Sequence, residues 1–238
     1  MTRVRDFDRT RTLLISAASE LFATHGYDRT SVDRIIKQAG VSKGAFYHHF
    51  SSKEEILDAV TAFMVADAMT EIRAAVADAS ADAIVRLNRF LSASRNWRLA
   101  HFGLLREVIV VLHRDENAPM LRKIEAHSAA VSVPLLAEIL EQGTNEGVFD
   151  PPNPLETARL ILLLSQGMQE AQARMVLDLG MSQEALAALQ ERADLFVEMV
   201  ERMLGAPRGS IQRLHFLDAL KTELSRANEG PRAKAGAP

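Results

Sequence analysis

The sequence predicts an all-α fold, and three observations predict it. Apolar residues recur at helical spacing in segment after segment of the 238 residues. Leu, Ala, Ile, Val, Met, Glu, Gln and Arg dominate while Trp and Tyr number only 1 and 2, a balance that favours helix over sheet. No alternating strand pattern bounded by turn signals occurs. The expected organisation is a three-helix N-terminal domain over residues 1–53, a larger helical domain over 54–226, and a polar Pro/Gly/Ala-rich tail over 227–238, expected to be disordered.

Each element has its own signals. The first helix is predicted from Arg9 to His25, with Leu14, Ala18, Leu21 and Phe22 as its apolar stripe and Gly26 as its stop. Thr30 or Ser31 can cap the second helix, with Asp33 three residues after Thr30 as in a capping box. Val32, Ile35, Ile36 and Ala39 form its inner face, and Gly40 permits a sharp turn. Ser42 caps a third helix whose inner face is Ala45, Phe46 and Phe50. After Ser51 and Ser52 a long helix is predicted from Lys53 to about Asp78, carried by Ile56, Leu57, Val60, Phe63 and Met64. Helical stretches follow near Asp82 to Ser94, Arg98 to His113 and Pro119 to Gln142. The segment from Gly143 to Pro154 is a break, and two strong helices run from Leu155 to Leu179 and Ser182 to Leu204. A last amphipathic segment, Ser210 to about Arg226, follows the break at Gly205 to Gly209.

Composition narrows the function classes. A chain that is 47% hydrophobic and 25% charged is ordinary for a soluble globular protein. Without cysteine, disulfides, thiolate zinc sites and a Cys nucleophile are excluded, and a reducing cytoplasm is the expected location. The first residues lack the apolar run of a signal peptide, and the longest aliphatic runs, Val108 to Leu112 and Leu160 to Leu164, are too short to span a bilayer. The net charge of −3 hides an asymmetry: residues 1–53 carry +4 and the remainder −7. A basic head on an acidic body suits a domain that reads DNA joined to one that does something else.

The third helix carries that reading. One side is apolar, and the other presents small, hydroxyl, imidazole and ammonium groups, as a helix does when it lies in a major groove. Lys43 opens it, where an ammonium can reach a guanine edge or a phosphate. Gly44 costs about 1 kcal/mol of helix stability against Ala, which makes sense if backbone must approach DNA closely or pack tightly on the second helix. Tyr47 and His48 fall on the outer face if Phe46 and Phe50 point inward. His49 either meets phosphate or is half-buried against the fourth helix. Ser31, Ser42 and the helix start near Lys53 are natural phosphate clamps, because helix N-termini present free N–H groups.

The body is less legible. Trp97, His101, Phe102 and Arg106 gather around the start of one apolar helix, and Asn88, Gln166 and Gln169 interrupt apolar faces elsewhere. A few polar groups on an apolar wall can fix a ligand's orientation, or can simply be core and satisfied. Leu160, Leu163, Leu164, Gly167, Met168 and Ala171 form a broad face on one helix, and Leu189, Phe196, Met199, Val200 and Met203 form another. Two such helices from each of two chains can bury both faces as a four-helix bundle, or pack on their own body.

The run from Leu14 to Leu57 resembles the TetR family of bacterial transcription regulators. Ala17-Ala18, Leu21-Phe22, Gly26-Tyr27, Thr30-Ser31-Val32, Ile35, Ala39-Gly40-Val41-Ser42, Gly44, Phe46-Tyr47, His49-Phe50 and Lys53 carry the resemblance. Ile36 and Ile56 are mild departures, both apolar. Beyond Leu57 the likeness is one of architecture. The resemblance implies DNA contact by Ser31, Val32, Ser42, Lys43, Gly44, Ala45, Tyr47, His48, His49 and Lys53. It also implies an all-helical body that binds a small-molecule effector and pairs into a homodimer. The expected activity is repression at a palindromic operator in double-stranded DNA, relieved by the effector.

Two other readings remain. A DNA-binding regulator could answer a protein partner, or no ligand at all. A helical-bundle enzyme needs Glu-x-x-His pairs for a di-iron site, and no His here has Glu three residues before it. Phosphate-loop and nucleophile-elbow motifs are also missing from the sequence. No catalytic residue, metal ligand or cofactor is expected.

Overall fold

A computed structural model describes residues 2–101, 103–105, 108, 111, 118–179 and 182–213, with side chains described except at 2–7, 118–120, 169–179, 183, 185 and 186. Its helices are α1 (Thr2–His25), α2 (Val32–Ala39), α3 (Lys43–His49), α4 (Lys53–Ala75), α5 (Ala83–Ala100), α6 (Ala118–Asn145), α7 (Pro154–Leu179) and α8 (Gln183–Leu204). No strand occurs among the described residues, so the fold is all-α.

The chain divides into two compact units. One comprises Met1–Glu71 with His101–Val131, and the other Ile72–Ala100 with Ser132–Pro238. The division falls inside α4, at Glu71 and Ile72, whereas the sequence suggests one at Lys53, where the helix begins.

In the first unit α1, α2 and α3 share a core of Leu14, Ala18, Leu21, Phe22, Ile35, Phe46 and Phe50, all sealed or nearly so. Burying one such Leu, Ile or Phe side chain contributes about 1.5–3 kcal/mol. Ile56, Leu57 and Val60 of α4 are buried as well. Ile36 is only half-buried, in contrast to its expected inner position. Thr30 is not the cap of α2. Its hydroxyl is buried and donates to the carbonyl of Gly26 at 2.8 Å, which leaves Ser31 to cap the helix by accepting from the Arg34 N–H.

The second unit is organised around Arg86 of α5, a buried guanidinium. Its Nε donates to the Val76 carbonyl at 3.2 Å, its Nη2 to Glu138 of α6 at 2.8 Å, and its Nη1 to the Gln142 side chain. Capturing the Val76 carbonyl helps end α4 at Ala75, three residues short of the expected Asp78. Asp78 instead accepts from Ser80, and Asp82 caps α5 by accepting from the Val85 N–H. Helix α5 then runs unbroken to Ala100, through the gap expected between Ser94 and Arg98. No Pro or Gly interrupts it there, and Trp97 is buried, so packing carries the helix onward.

After α6, Phe149 folds back so closely that a Cβ on Gly143 would lie 2.0 Å from its ring, and only glycine fits. Leu136, Ile139, Leu140, Ile161, Leu189, Val200 and Leu204 complete the core. The expected last helix from Ser210 is extended over its described part, residues 210–213. Ile211 is buried there, its N–H donating to Glu201 at 3.1 Å. The rest of that segment and the tail lie outside the described residues.

Candidate nucleic-acid interface

Helices α2 and α3 and the turn between them are set by local chemistry. Gly40 adopts φ 66°, in the left-handed region, and its N–H together with that of Val41 returns to the carbonyls of Lys37 and Ile36. A Cβ there meets no neighbour, so backbone conformation alone demands glycine. Ser42 then caps α3, its Oγ accepting from the Ala45 N–H at 3.1 Å. Phe46 and Phe50 plug the helix into the core with their rings 5.9 Å apart.

With that face sealed, the opposite face is fixed. Ser42, Lys43, Gly44, Tyr47 and His48 are exposed, and Ala45 and His49 are half-buried at its edges. Gly44 has open space around it, its would-be Cβ meeting only Ser42 Oγ at 4.0 Å. Tight packing on α2 therefore does not account for this glycine. The Tyr47 ring stands edge-on to Phe46 at 5.3 Å, so its hydroxyl projects from a braced ring. Lys43 lies 3.6 Å from Asp33, a pair in which both side chains are mostly exposed. Such a surface pair is worth at most about 1 kcal/mol, so the ammonium is free to exchange Asp33 for another anion.

The edges of this face bring in α1 and α4. His49 sits beside His48 and Phe50, and its proton affinity is lowered, first by burial, then by the charges of His48 and Arg11, with Asp8 opposing. At the start of α4, Ser52 Oγ accepts from the Glu55 N–H, and the Glu55 carboxylate accepts from Ser51 N and Oγ at 2.7 and 2.6 Å. Ser51's hydroxyl and N–H hold the Glu55 carboxyl below its usual range. Glu54 is likewise lowered, chiefly by its own backbone N–H and the Ser52 hydroxyl. Lys53 does not stand free: its ammonium rests over the Tyr27 ring. Tyr27 was legible only as part of a family pattern, and its role beneath Lys53 emerges from the fold. At α2, Ser31 is exposed and Val32 half-buried. The expected DNA-facing residues thus gather on α2, α3 and the start of α4, all within the first unit.

The residues expected around an effector are not gathered in the same way. Asn88 is engaged by its own chain: its Nδ2 donates to the Ser210 carbonyl at 2.8 Å and its Oδ1 accepts from the Gln212 N–H at 2.7 Å. It clamps the segment after α8 and is not a free ligand group. Trp97 is buried, and His101 Nε2 lies 3.8 Å from Asp67. Gln166 is half-buried. Phe102 and Arg106, and the side chain of Gln169, lie outside the described residues. A recess of about 480 Å³ beside α8, walled by Glu191, Asp194, Leu195 and Glu198, contains none of these positions. Among the described residues no group of three His, Asp or Glu could hold a metal ion, and no helix is long and apolar enough to cross a membrane.

The expected dimer face is divided. Leu160, Leu163, Leu164 and Gly167 on α7 are exposed, and Met168 is half-buried. On α8, Met199 is exposed and Met203 half-buried. Phe196 and Val200, expected on the same face, point the other way and are buried in their own unit, Val200 completely. The exposed companion of Met199 is Leu195, which sequence reasoning missed. Both sides of α8 carry large apolar residues, so periodicity alone could not tell inward from outward. The side chain of Ala171 lies outside the described residues.

Comparisons with known proteins agree with this geometry. Residues 14–60 match the model of bacterial regulatory proteins of the tetR family. The HTH-type transcriptional repressor KstR2 of Mycobacterium tuberculosis is 30% identical over 143 residues, 58% of this chain and 68% of that protein. The HTH-type transcriptional regulator UidR of Escherichia coli is 25% identical over 165 residues, 67% of this chain and 79% of that protein. Among solved structures, a TetR-family transcriptional regulator of Pectobacterium atrosepticum superposes with a TM-score of 0.62 at 20% identity, covering 86% of this chain and 98% of that one. A transcriptional regulator of Cytophaga hutchinsonii gives the same TM-score, 0.62, at 20% identity, covering 81% and 97%. These relatives are transcription regulators, not enzymes.

Proposed function

The chain belongs to the TetR family and is a DNA-binding transcriptional regulator, and from that premise we propose that it is a homodimeric repressor released from a palindromic operator by a small-molecule effector. One observation carries the DNA-reading assignment. Sealing Phe46 and Phe50 leaves Lys43, Tyr47 and His48 on one exposed face of α3. In that arrangement α3 lies in the major groove, with Lys43 and Tyr47 at base edges. Ser31, Ser42, His49 and Lys53 meet the backbone on either side, and Val32, Gly44 and Ala45 allow close approach.

The exposed apolar residues of α7 and α8 support the dimer. Leu160, Leu163, Leu164, Leu195 and Met199 are unusually apolar for open surface, and a two-fold pairing of α7 and α8 would cover them. Two α3 helices then meet one face of the duplex, and the operator is a palindrome with half-site centres about 10 bp, or a multiple, apart.

Effector release follows from the continuity of α4. Its N-terminal residues belong to the unit that reads DNA, and from Ile72 onward it belongs to the other. A ligand that favours one arrangement of the body biases this helix and, through it, the spacing of the two heads. KstR2 is itself named a repressor, which favours repression over activation. The deciding experiment selects bound sequences from random DNA, then titrates the winning duplex against the purified protein. Palindromes bound by two chains are expected. Single asymmetric half-sites bound by one chain would count against the dimeric reading.

A further inference from the structure

Helix α5 carries four arginines, and their surroundings separate them into two pairs. Arg86 meets Glu138 at 2.8 Å and Arg89 meets Asp78 at 3.4 Å. Arg95 and Arg98 lie three positions apart, on one side of the helix, and among the described residues neither has a carboxylate within ion-pair distance. Arg95 Nε reaches the Asn96 side-chain oxygen at 3.4 Å, and Arg98 Nη1 donates to Ser94 Oγ at 2.9 Å. A guanidinium presents five N–H donors, so most of those on Arg98 remain for something else.

Arg98 is not in open water either. It keeps partial exposure, yet enough protein surrounds it that lost hydration, with the charge of Arg95 beside it, pulls its proton affinity down to about 10. A cation with accessible donors and poor hydration faces a recess, not bulk solvent. Enclosed charges in proteins are ordinarily paired, and two neighbouring cations without an acid repel each other until an anion joins them.

We propose that Arg98, supported by Arg95, anchors the anionic group of the effector, which is therefore a small molecule bearing a carboxylate or a phosphate. The inference rests on the ligand-released reading above and names the chemistry of that ligand. The planar fork of a guanidinium matches either oxyanion with two parallel hydrogen bonds, which fixes orientation as well as charge.

The test uses the full-length protein at constant ionic strength. Its sole tryptophan, Trp97, adjoins Arg98 and reports binding by fluorescence, alongside the thermal midpoint. The probes are acetate, inorganic phosphate, octanoate and octyl phosphate, with 1-octanol and octylamine as uncharged and cationic controls. At least one anion should bind about tenfold or more tighter than octanol, the scale of one charge-assisted pair. The ranking of octanoate against octyl phosphate separates carboxylate from phosphate. Arg98→Met should erase the preference and raise the midpoint of the ligand-free protein, while Arg98→Lys should keep part of the preference.

The proposal is overturned if no anion outperforms octanol, or if Arg98→Met retains the preference. It is equally overturned if Arg98→Met lowers the ligand-free midpoint, because Arg98 would then be a structural partner. Operator occupancy, followed by anisotropy of labelled DNA, separates the two readings. An anion that binds through Arg98 without releasing DNA defeats ligand release and leaves the anion site standing. Release by octanol alone does the reverse.

Discussion

The ammonium of Lys53 lies 3.9 Å from the centre of the Tyr27 ring, whose hydroxyl donates to Glu54 at 3.3 Å. A cation held over an aromatic face is worth about 0.5–1 kcal/mol at an exposed site, and here it aims Lys53 from the first turn of α4. Lys53→Ala should weaken binding to all DNA sequences alike and lower the salt slope by about 1. Tyr27→Phe keeps the ring and should leave DNA binding near wild type. Tyr27→Leu should reproduce much of the Lys53→Ala loss without changing base preference. Titrations at several salt concentrations decide it, and a Tyr27→Leu protein with wild-type affinity would dissolve the link.

Lys43 should behave differently from Lys53. Its exposed pairing with Asp33 is weak, so it can turn to a base. If that base is guanine, Lys43→Ala should lose about 1–3 kcal/mol at one operator position. Binding to random DNA should change far less. Equal losses on operator and random duplexes would make Lys43 a phosphate contact.

Leu163 and Val200 separate assembly from folding. Leu163 is 55% exposed in the single chain, so Leu163→Glu should leave the subunit's core intact while shifting the protein from dimer to monomer. Val200 is 0% exposed, and Val200→Ala should lower the thermal midpoint through a cavity in the core. Analytical ultracentrifugation and calorimetry read the two effects. A dimer undisturbed by Leu163→Glu would move the interface off α7.

Acid should loosen the head in two steps. Burial lowers the proton affinity of His49 in the folded chain, so the unfolded chain binds the proton more readily. The stability contributed by neutral His49 is present above about pH 6.5, its unfolded value, and is lost as pH falls through the lower folded value. Glu54 and Glu55 are also lowered, so their contribution holds above about pH 4.5 and is lost below it. Between pH 7.5 and 5.5 the wild-type midpoint should therefore fall more than that of His49→Gln. Parallel falls would show that His49 contributes nothing to this dependence.

Effector and operator should oppose each other reciprocally. If a ligand weakens DNA binding by some factor, operator DNA must weaken ligand binding by the same factor, and 1–3 kcal/mol, about 5–150-fold, is typical. Calorimetric titration of an effector with and without operator measures it. Equal affinities would exclude induction by this route and favour control by a protein partner.

The sequence by itself determined the head. Its signals are local: Ser31 and Ser42 cap helices within three residues of themselves, Gly40 supplies a left-handed turn, and the spacing of Phe46 and Phe50 decides which face of α3 looks outward. Physics acting over one or two turns is written in adjacent letters. Only the tertiary structure decided the rest, because the deciding partners are remote. Asn88 reads as a polar interruption until its amide is seen clamping Ser210, 122 residues away. Thr30 and Ser31 are equal candidates for a cap until the Gly26 and Leu21 carbonyls take the Thr30 hydroxyl into the core. Phe196 and Val200 are indistinguishable in pattern from Leu195 and Met199, and packing alone turned the first pair inward. Arg86 and Arg98 are two arginines on one helix, and only the presence of Glu138 beside the first makes one a strut and leaves the other open to an anion.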